Sequence, residues 1–156
     1  MRILFNASLG KAEISRALAA RVGDAVTWVD DAAAAAREMA NADALICPDH
    51  MYAPALAAAV KESGAKLRWV QLLTAGYDQI KTHGARPGVA VCNAGAAYAP
   101  AVATHAVSLL LALQRNVAEC IDNKSRHAWD RGFTSKMTTP GSATIAVIRS
   151  EEHTSE

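Results

Sequence analysis

The chain has 156 residues, 51% of them hydrophobic with alanine prominent, and a formal net charge of +1 from interspersed acids and bases. That length suffices for one domain and the start of a second, with a core that needs neither disulfide nor metal. The even charge excludes a nucleic-acid face, Cys47, Cys92 and Cys120 have neither disulfide-pair nor metal-ligand spacing, and no apolar run reaches signal-peptide or membrane-span length. The expectation is a soluble, cytoplasmic protein with free buried thiols, no metal and no membrane or nucleic-acid partner.

Residues 2–7 read as a short buried strand. Ser8-Leu9-Gly10 then turns into a helix whose Ile14, Leu18 and Val22 recur every four residues, with Gly23 in the carboxyl-cap position. Residues 25–29 form a second strand, and Asp30-Asp31 caps the alanine-rich helix after it. Residues 44–47 form a third strand, stopped by Pro48. Residues 54–62 are helical, with Pro54 in the first turn and Gly64 just past the end. Residues 67–73 and 89–92 make a fourth and a fifth strand.

Strands and helices in alternation predict an α/β fold, a flavodoxin-like doubly wound parallel sheet of about five strands. Functional loops of such a sheet lie at the carboxyl ends of its strands, here residues 6–10, 49–52, 74–78 and 93–98. A long apolar helix is predicted over 99–118, with Val102, Ala106, Leu109, Leu110 and Leu113 on one stripe; at about 1.5 Å per residue it would run roughly 30 Å. Residues 122–140 read as an irregular connection, and 143–148 as a new buried strand. The predicted organisation is a domain over 1–97, a linking helix and connection over 98–140, and the first strand of a second, incomplete domain over 141–148.

Two segments then become recognisable. The first is Leu67-Arg68-Trp69-Val70-Gln71-Leu72-Leu73-Thr74-Ala75-Gly76-Tyr77-Asp78, a strand and turn ending in Gly-x-Asp. The second runs Val91-Cys92-Asn93-Ala94-Gly95-Ala96-Ala97-Tyr98-Ala99-Pro100-Ala101-Val102-Ala103-Thr104-His105 and on to Arg115: a strand, an Asn, a Gly-containing loop and a helix. In this order and spacing, behind three strand–helix units, they resemble the D-isomer-specific 2-hydroxyacid dehydrogenase family. One position departs from it: Thr104 stands where the family usually has Glu.

The resemblance implies an oxidoreductase that moves a hydride between NAD or NADP and C2 of a small D-2-hydroxy or 2-oxo acid. The substrate carboxylate would be held by the main-chain amides of Ala75 and Gly76, because glycine lets backbone approach closely and each hydrogen bond to a charged group contributes about 1.5–3 kcal/mol. It further implies that Met51 and Tyr52 wall the substrate pocket, and that Tyr98, Ala99 and Val102 border the nicotinamide end of the cofactor. Plain structural readings stay open beside these: a strand-to-helix turn with Asp78 as cap, an exposed loop at 51–52, and interdomain packing at 98–102. The family's catalytic His, its acid partner and its orienting Arg come from the cofactor domain. They are therefore expected beyond residue 148, and His50, His83, His105 and His127 receive no catalytic role.

The family motif Gly-x-Gly-x-x-Gly would follow the strand at 144–148, placing pyrophosphate on a helix amino-terminus. The chain instead reads Arg149-Ser150-Glu151-Glu152-His153-Thr154-Ser155-Glu156, which resembles a translated sequencing adapter, so residues 149–156 are expected to be non-native. A lone first strand has no sheet to join. The chain is thus read as an enzyme fragment that binds no cofactor and is inactive by itself, from a full-length protein that uses NAD or NADP and forms a homodimer. The alternative is a stand-alone flavodoxin-like binding or dimerisation module; against its receiver and flavin versions stand the missing acidic cluster at residues 6–8 and the missing nearby aromatics.

Overall fold

The computed structural model describes residues 1–7, 10–22 and 25–148, leaving aside the side chains of residues 20 and 22. It falls into two compact units, Met1–Tyr98 and a second beginning at Ala99.

The first unit is built on five parallel strands: β1 (Ile3–Asn6), β2 (Val26–Val29), β3 (Ala44–Cys47), β4 (Trp69–Leu72) and β5 (Ala90–Cys92), in the order β2-β1-β3-β4-β5. Register is continuous from Leu4 opposite Leu45 to Leu45 opposite Val70 and Val70 opposite Val91. This is the doubly wound, flavodoxin-like order expected from the alternating pattern. Connecting helices are α1 (Lys11–Val22), α2 (Ala32–Glu38), α3 (Pro54–Glu62) and α4 (Asp78–His83).

Strand alternation sends side chains to two cores. Leu4, Leu45, Cys47, Val70 and Leu72 pack with Ala35 of α2 and with Leu56 and Val60 of α3. Ile3, Phe5, Ala44 and Ile46 pack on the other side, with Ile14 and Leu18 of α1 and with Trp28. Each fully buried Leu or Val of this kind stabilises the fold by about 1.5–3 kcal/mol. Local signals do the rest. Asp31 Oδ1 accepts from Ala34 N across 2.7 Å, capping α2. Gly64 closes α3 where a Cβ would sit 2.7 Å from the carbonyl oxygen of Val60, so no side chain fits without moving the backbone.

In the second unit the predicted single helix over 99–118 is two: α5 (Ala99–Gln114) and α6 (Val117–Ser125). Asn116 stands between them in the left-handed region, φ 48°. Val117 and Ile121 extend the apolar pattern beyond the break, which is why periodicity overran it. Residues 122–140, read as irregular, begin inside α6 and continue into short 3₁₀ turns at Gly132–Lys136 and Pro140–Ser142. Residues 143–148, read as a strand, pair with no other strand among the described residues. Ile148 is 96% exposed: a strand is a paired structure, and sequence pattern supplies only one of the two partners. The expected cap Gly23 and the tail 149–156 lie outside the described residues.

Candidate functional site

The site is assembled at the carboxyl end of the sheet in the first unit. Leu73 N still donates to Cys47 O across 2.9 Å; beyond it the chain leaves β4, and Ala75, Gly76 and Tyr77 are exposed before α4 begins. The carbonyls of this turn are all taken. Tyr98 Oη donates to Leu73 O (2.8 Å), Ala94 N to Thr74 O (2.9 Å), Asn93 Nδ2 to Ala75 O (2.7 Å) and Thr74 Oγ1 to Gly76 O (2.9 Å). Its amides are not: among the described residues, the N–H groups of Ala75, Gly76 and Tyr77 have no intramolecular acceptor. A Cβ on Gly76 would meet nothing within 4 Å. The turn is therefore oriented through its carbonyls and presents free donors beside open space, the arrangement that suits an anion.

A second loop buttresses it. After β3, residues Asp49–Met51 form a 3₁₀ turn. Asp49 is buried, and its Oδ2 and Oδ1 accept from Gln79 N (3.0 Å) and Ile80 N (3.3 Å) at the start of α4. Its own N–H donates to Thr74 Oγ1 (3.2 Å). Asp78, the alternative cap read from sequence, sits within α4; the residue at the cap position, Tyr77, makes no side-chain cap bond. Beyond the turn, Asn93 Oδ1 accepts from Gly95 N (3.1 Å), where Gly95 takes a positive φ of 52°.

The chain from Leu4 to Val147 matches the family model described as D-isomer specific 2-hydroxyacid dehydrogenase, catalytic domain. This chain belongs to the D-isomer specific 2-hydroxyacid dehydrogenase family. Solved structures share the fold. A D-isomer specific 2-hydroxyacid dehydrogenase family protein from Aeromonas salmonicida is 22% identical with a TM-score of 0.66, covering 83% of this chain and 41% of that one. D-lactate dehydrogenase from Aquifex aeolicus, complexed with NAD and lactic acid, is 14% identical with a TM-score of 0.58, over 83% of this chain and 39% of that one. NAD-dependent formate dehydrogenase from Staphylococcus aureus, in complex with NAD, is 20% identical with a TM-score of 0.54, over 87% and 44%. This chain thus spans about two-fifths of the length of the solved dehydrogenases it matches. No curated protein matches it.

Within this dehydrogenase domain, Ala75 and Gly76 occupy the exposed turn, and Met51 is half-buried at the end of the 3₁₀ turn. Tyr52 was expected on the pocket wall. Its side chain is fully buried in the core, and Oη donates to Gly84 O (3.0 Å) at the far end of α4. His50 beside it is exposed, whereas Tyr52 turns inward onto the α3 side of the sheet. Burial pushes its phenol up to about 12, helped by the charge of Cys47. Burial likewise pushes the Cys47 thiol up to about 12, with the Asp49 charge adding to it. Neither group is a nucleophile in this state.

Tyr98 ends the first unit half-exposed, its hydroxyl committed to Leu73 O. Ala99 and Val102 open α5 in the second unit and are exposed. Thr104, in place of the family's Glu, donates back to Pro100 O (2.8 Å) within its own helix. A dinucleotide's pyrophosphate needs a glycine-rich turn leading into a helix. None of the nine glycines falls in Gly-x-Gly-x-x-Gly spacing, and Ala99 and Val102 bring no polar side chain, so the residues present do not fit that group. No metal-binding cluster occurs among the described residues, and no helix there is long and apolar enough to cross a membrane.

Sequence reading missed two residues that build the site. Asn93 stood in the recognised motif, yet its contact with Ala75 crosses between strands and leaves no local trace. Asp49 offered one signal, an acid directly after a strand-ending Pro48.

Proposed function

We propose that this chain supplies the substrate-carboxylate site of an NAD(P)-dependent dehydrogenase acting on a small D-2-hydroxy or 2-oxo acid. The observation that carries this reading is the turn with every carbonyl bonded and the amides of Ala75 and Gly76 free. Two charge-assisted bonds from such amides would hold a carboxylate and leave C2 facing outward for hydride transfer. Met51 flanks the same end of the sheet and would shape side-chain preference.

The rest of the reading follows the family. Residues 1–97 act as the substrate-binding domain, 98–140 as the link and 141–148 as the entry to a cofactor domain. The general acid/base His with its acid partner, the orienting Arg and the pyrophosphate loop are supplied outside residues 1–148. Tyr98, Ala99 and Val102 would then approach the cofactor by shape alone. The full-length protein is a cytoplasmic homodimer using NAD or NADP.

The test is a titration of the ¹⁵N-labelled chain with oxamate, an unreactive mimic of a small 2-oxo acid. Saturable shifts centred on the Ala75 and Gly76 amides are expected. Shifts that never saturate, or that centre elsewhere, would overturn the reading.

A further inference from the structure

We propose that Asp49 is a positioning residue for the carboxylate-binding turn, fixing Ala75 and Gly76 from both sides without touching the substrate. The inference rests on the function proposed above and adds a residue to it.

The geometry is one of double attachment. Upstream of the free amides, Asp49 N donates to Thr74 Oγ1 (3.2 Å), and that hydroxyl donates onward to Gly76 O (2.9 Å). Downstream, the Asp49 carboxylate accepts from Gln79 N and Ile80 N (3.0 and 3.3 Å). The three residues with free amides therefore lie between two anchors on a single residue of another loop. Asp49 itself is held by its place in the 3₁₀ turn after β3 and by burial, at 8% exposure.

Helix α4 needs this help. It has six residues, too few to persist alone, and no side chain at its own cap position bonds the first-turn amides. The carboxylate fits the task because it offers two acceptor oxygens and no donor. Burying it is costly unless its bonds are made, so the Asp49 bonds and the turn geometry stand or fall together.

Charge separates this role from any direct one. A carboxylate beside an anion-binding turn repels the anion, so removing Asp49 would by electrostatics alone tighten binding. Losing the anchors acts in the opposite direction, because apparent affinity scales with the fraction of molecules in which the turn is ordered.

The experiment measures oxamate affinity by amide shifts, and stability by urea unfolding, for the 156-residue chain and three variants. Asp49→Ala is expected to weaken oxamate binding about ten-fold, and Thr74→Val, which cuts only the upstream anchor and changes no charge, about three-fold. Tyr52→Phe removes the bond to Gly84 O at the opposite end of α4; it should lower stability and leave affinity unchanged. Unchanged or tighter binding by Asp49→Ala overturns the inference and leaves the proposed function standing. If Asp49→Ala does not fold, Thr74→Val decides, and wild-type affinity there overturns it. An equal affinity loss in Tyr52→Phe would reduce the effect to general destabilisation and also overturn it. Absence of saturable binding by the unaltered chain overturns the proposed function, and this inference with it.

Discussion

Asn93 and Ala75 meet across 2.7 Å, Nδ2 to carbonyl oxygen, joining the loop after β5 to the loop after β4. The bond occupies the Ala75 carbonyl, and with it the peptide plane that sets the direction of the Gly76 amide. Replacing Asn93 by Ala removes both this bond and the acceptor for Gly95 N. Because the site is exposed, the expected stability loss is modest, about 1 kcal/mol by urea unfolding. The Gly76 amide resonance should move without ligand, and oxamate affinity should fall. A Gly76 resonance unmoved by Asn93→Ala would show that the peptide plane is set by something else.

Gly76 separates a role in binding from one in folding. A methyl group there meets no atom within 4 Å and the backbone φ is not left-handed, so Gly76→Ala is expected to change stability by no more than about 0.5 kcal/mol. On the proposed reading a carboxylate comes close to this stretch of backbone, and an added methyl group would crowd it. Loss of oxamate binding at full stability is the expected outcome. Retained binding would place the carboxylate elsewhere.

How far the sequence announced this arrangement differs by element. Strand β3 and helix α3 were legible at their observed bounds, because Pro48, Pro54 and Gly64 punctuate them locally. The parallel sheet followed from alternation alone. Helix α4 was foreseen only as the sequel of a strand-to-helix turn capped by Asp78; its first amides are instead satisfied by Asp49, 30 residues before Gln79, and no local pattern encodes that. The burial of Tyr52 was hidden for a related reason, since it is fixed by α3 and Gly84 rather than by its chain neighbours. The end of α5 was hidden because Val117 and Ile121 continue an apolar rhythm across a residue with positive φ. The anion turn itself was visible as Gly-x-Asp after a strand. Which donors hold its carbonyls was not.

The two acids pushed up by burial give the fold an alkaline limit. Cys47 is raised from 9.0 to about 12 and Tyr52 from 10.0 to about 12. Both are neutral when protonated, so the folded state holds these protons more tightly than the unfolded one. Their contribution is fully present below about pH 9 and is lost as pH rises through 12. Urea midpoints should therefore hold steady to about pH 9 and then decline, and Cys47→Ala should flatten the first part of that decline despite a lower midpoint at neutral pH. A stability profile with the same slope in both proteins would remove Cys47 from the account.

Thiol chemistry gives an independent check on the same core. Cys92 and Cys120 are exposed and Cys47 is buried, beneath the loop that carries Asp49. A disulfide reagent at pH 8 should label Cys92 and Cys120 promptly and Cys47 only at the rate of global or local opening. Adding oxamate should slow the Cys47 phase, because a ligand bound to the ordered turn disfavours opening of the loops above β3. If all three thiols react together, the packing of Cys47 beneath Asp49 is not maintained in solution.

Val102, Val107, Leu109 and Leu113 are all exposed, Leu113 at 75%, on a helix whose 16 residues include no Asp, Glu, Lys or Arg. A soluble helix that is apolar around its circumference is normally covered, and exposed apolar area of this extent drives association. The chain is expected to self-associate, and pairing Leu109→Glu with Leu113→Glu should shift it towards monomer in sedimentation velocity while leaving the oxamate shifts at Ala75 and Gly76 in place. These residues lie in a unit separate from the anion turn, so assembly and carboxylate binding should respond independently. A wild-type chain that stays monomeric at the concentrations used for the titration would argue against assembly through this helix, and loss of oxamate binding in the double variant would show that the two units are energetically coupled.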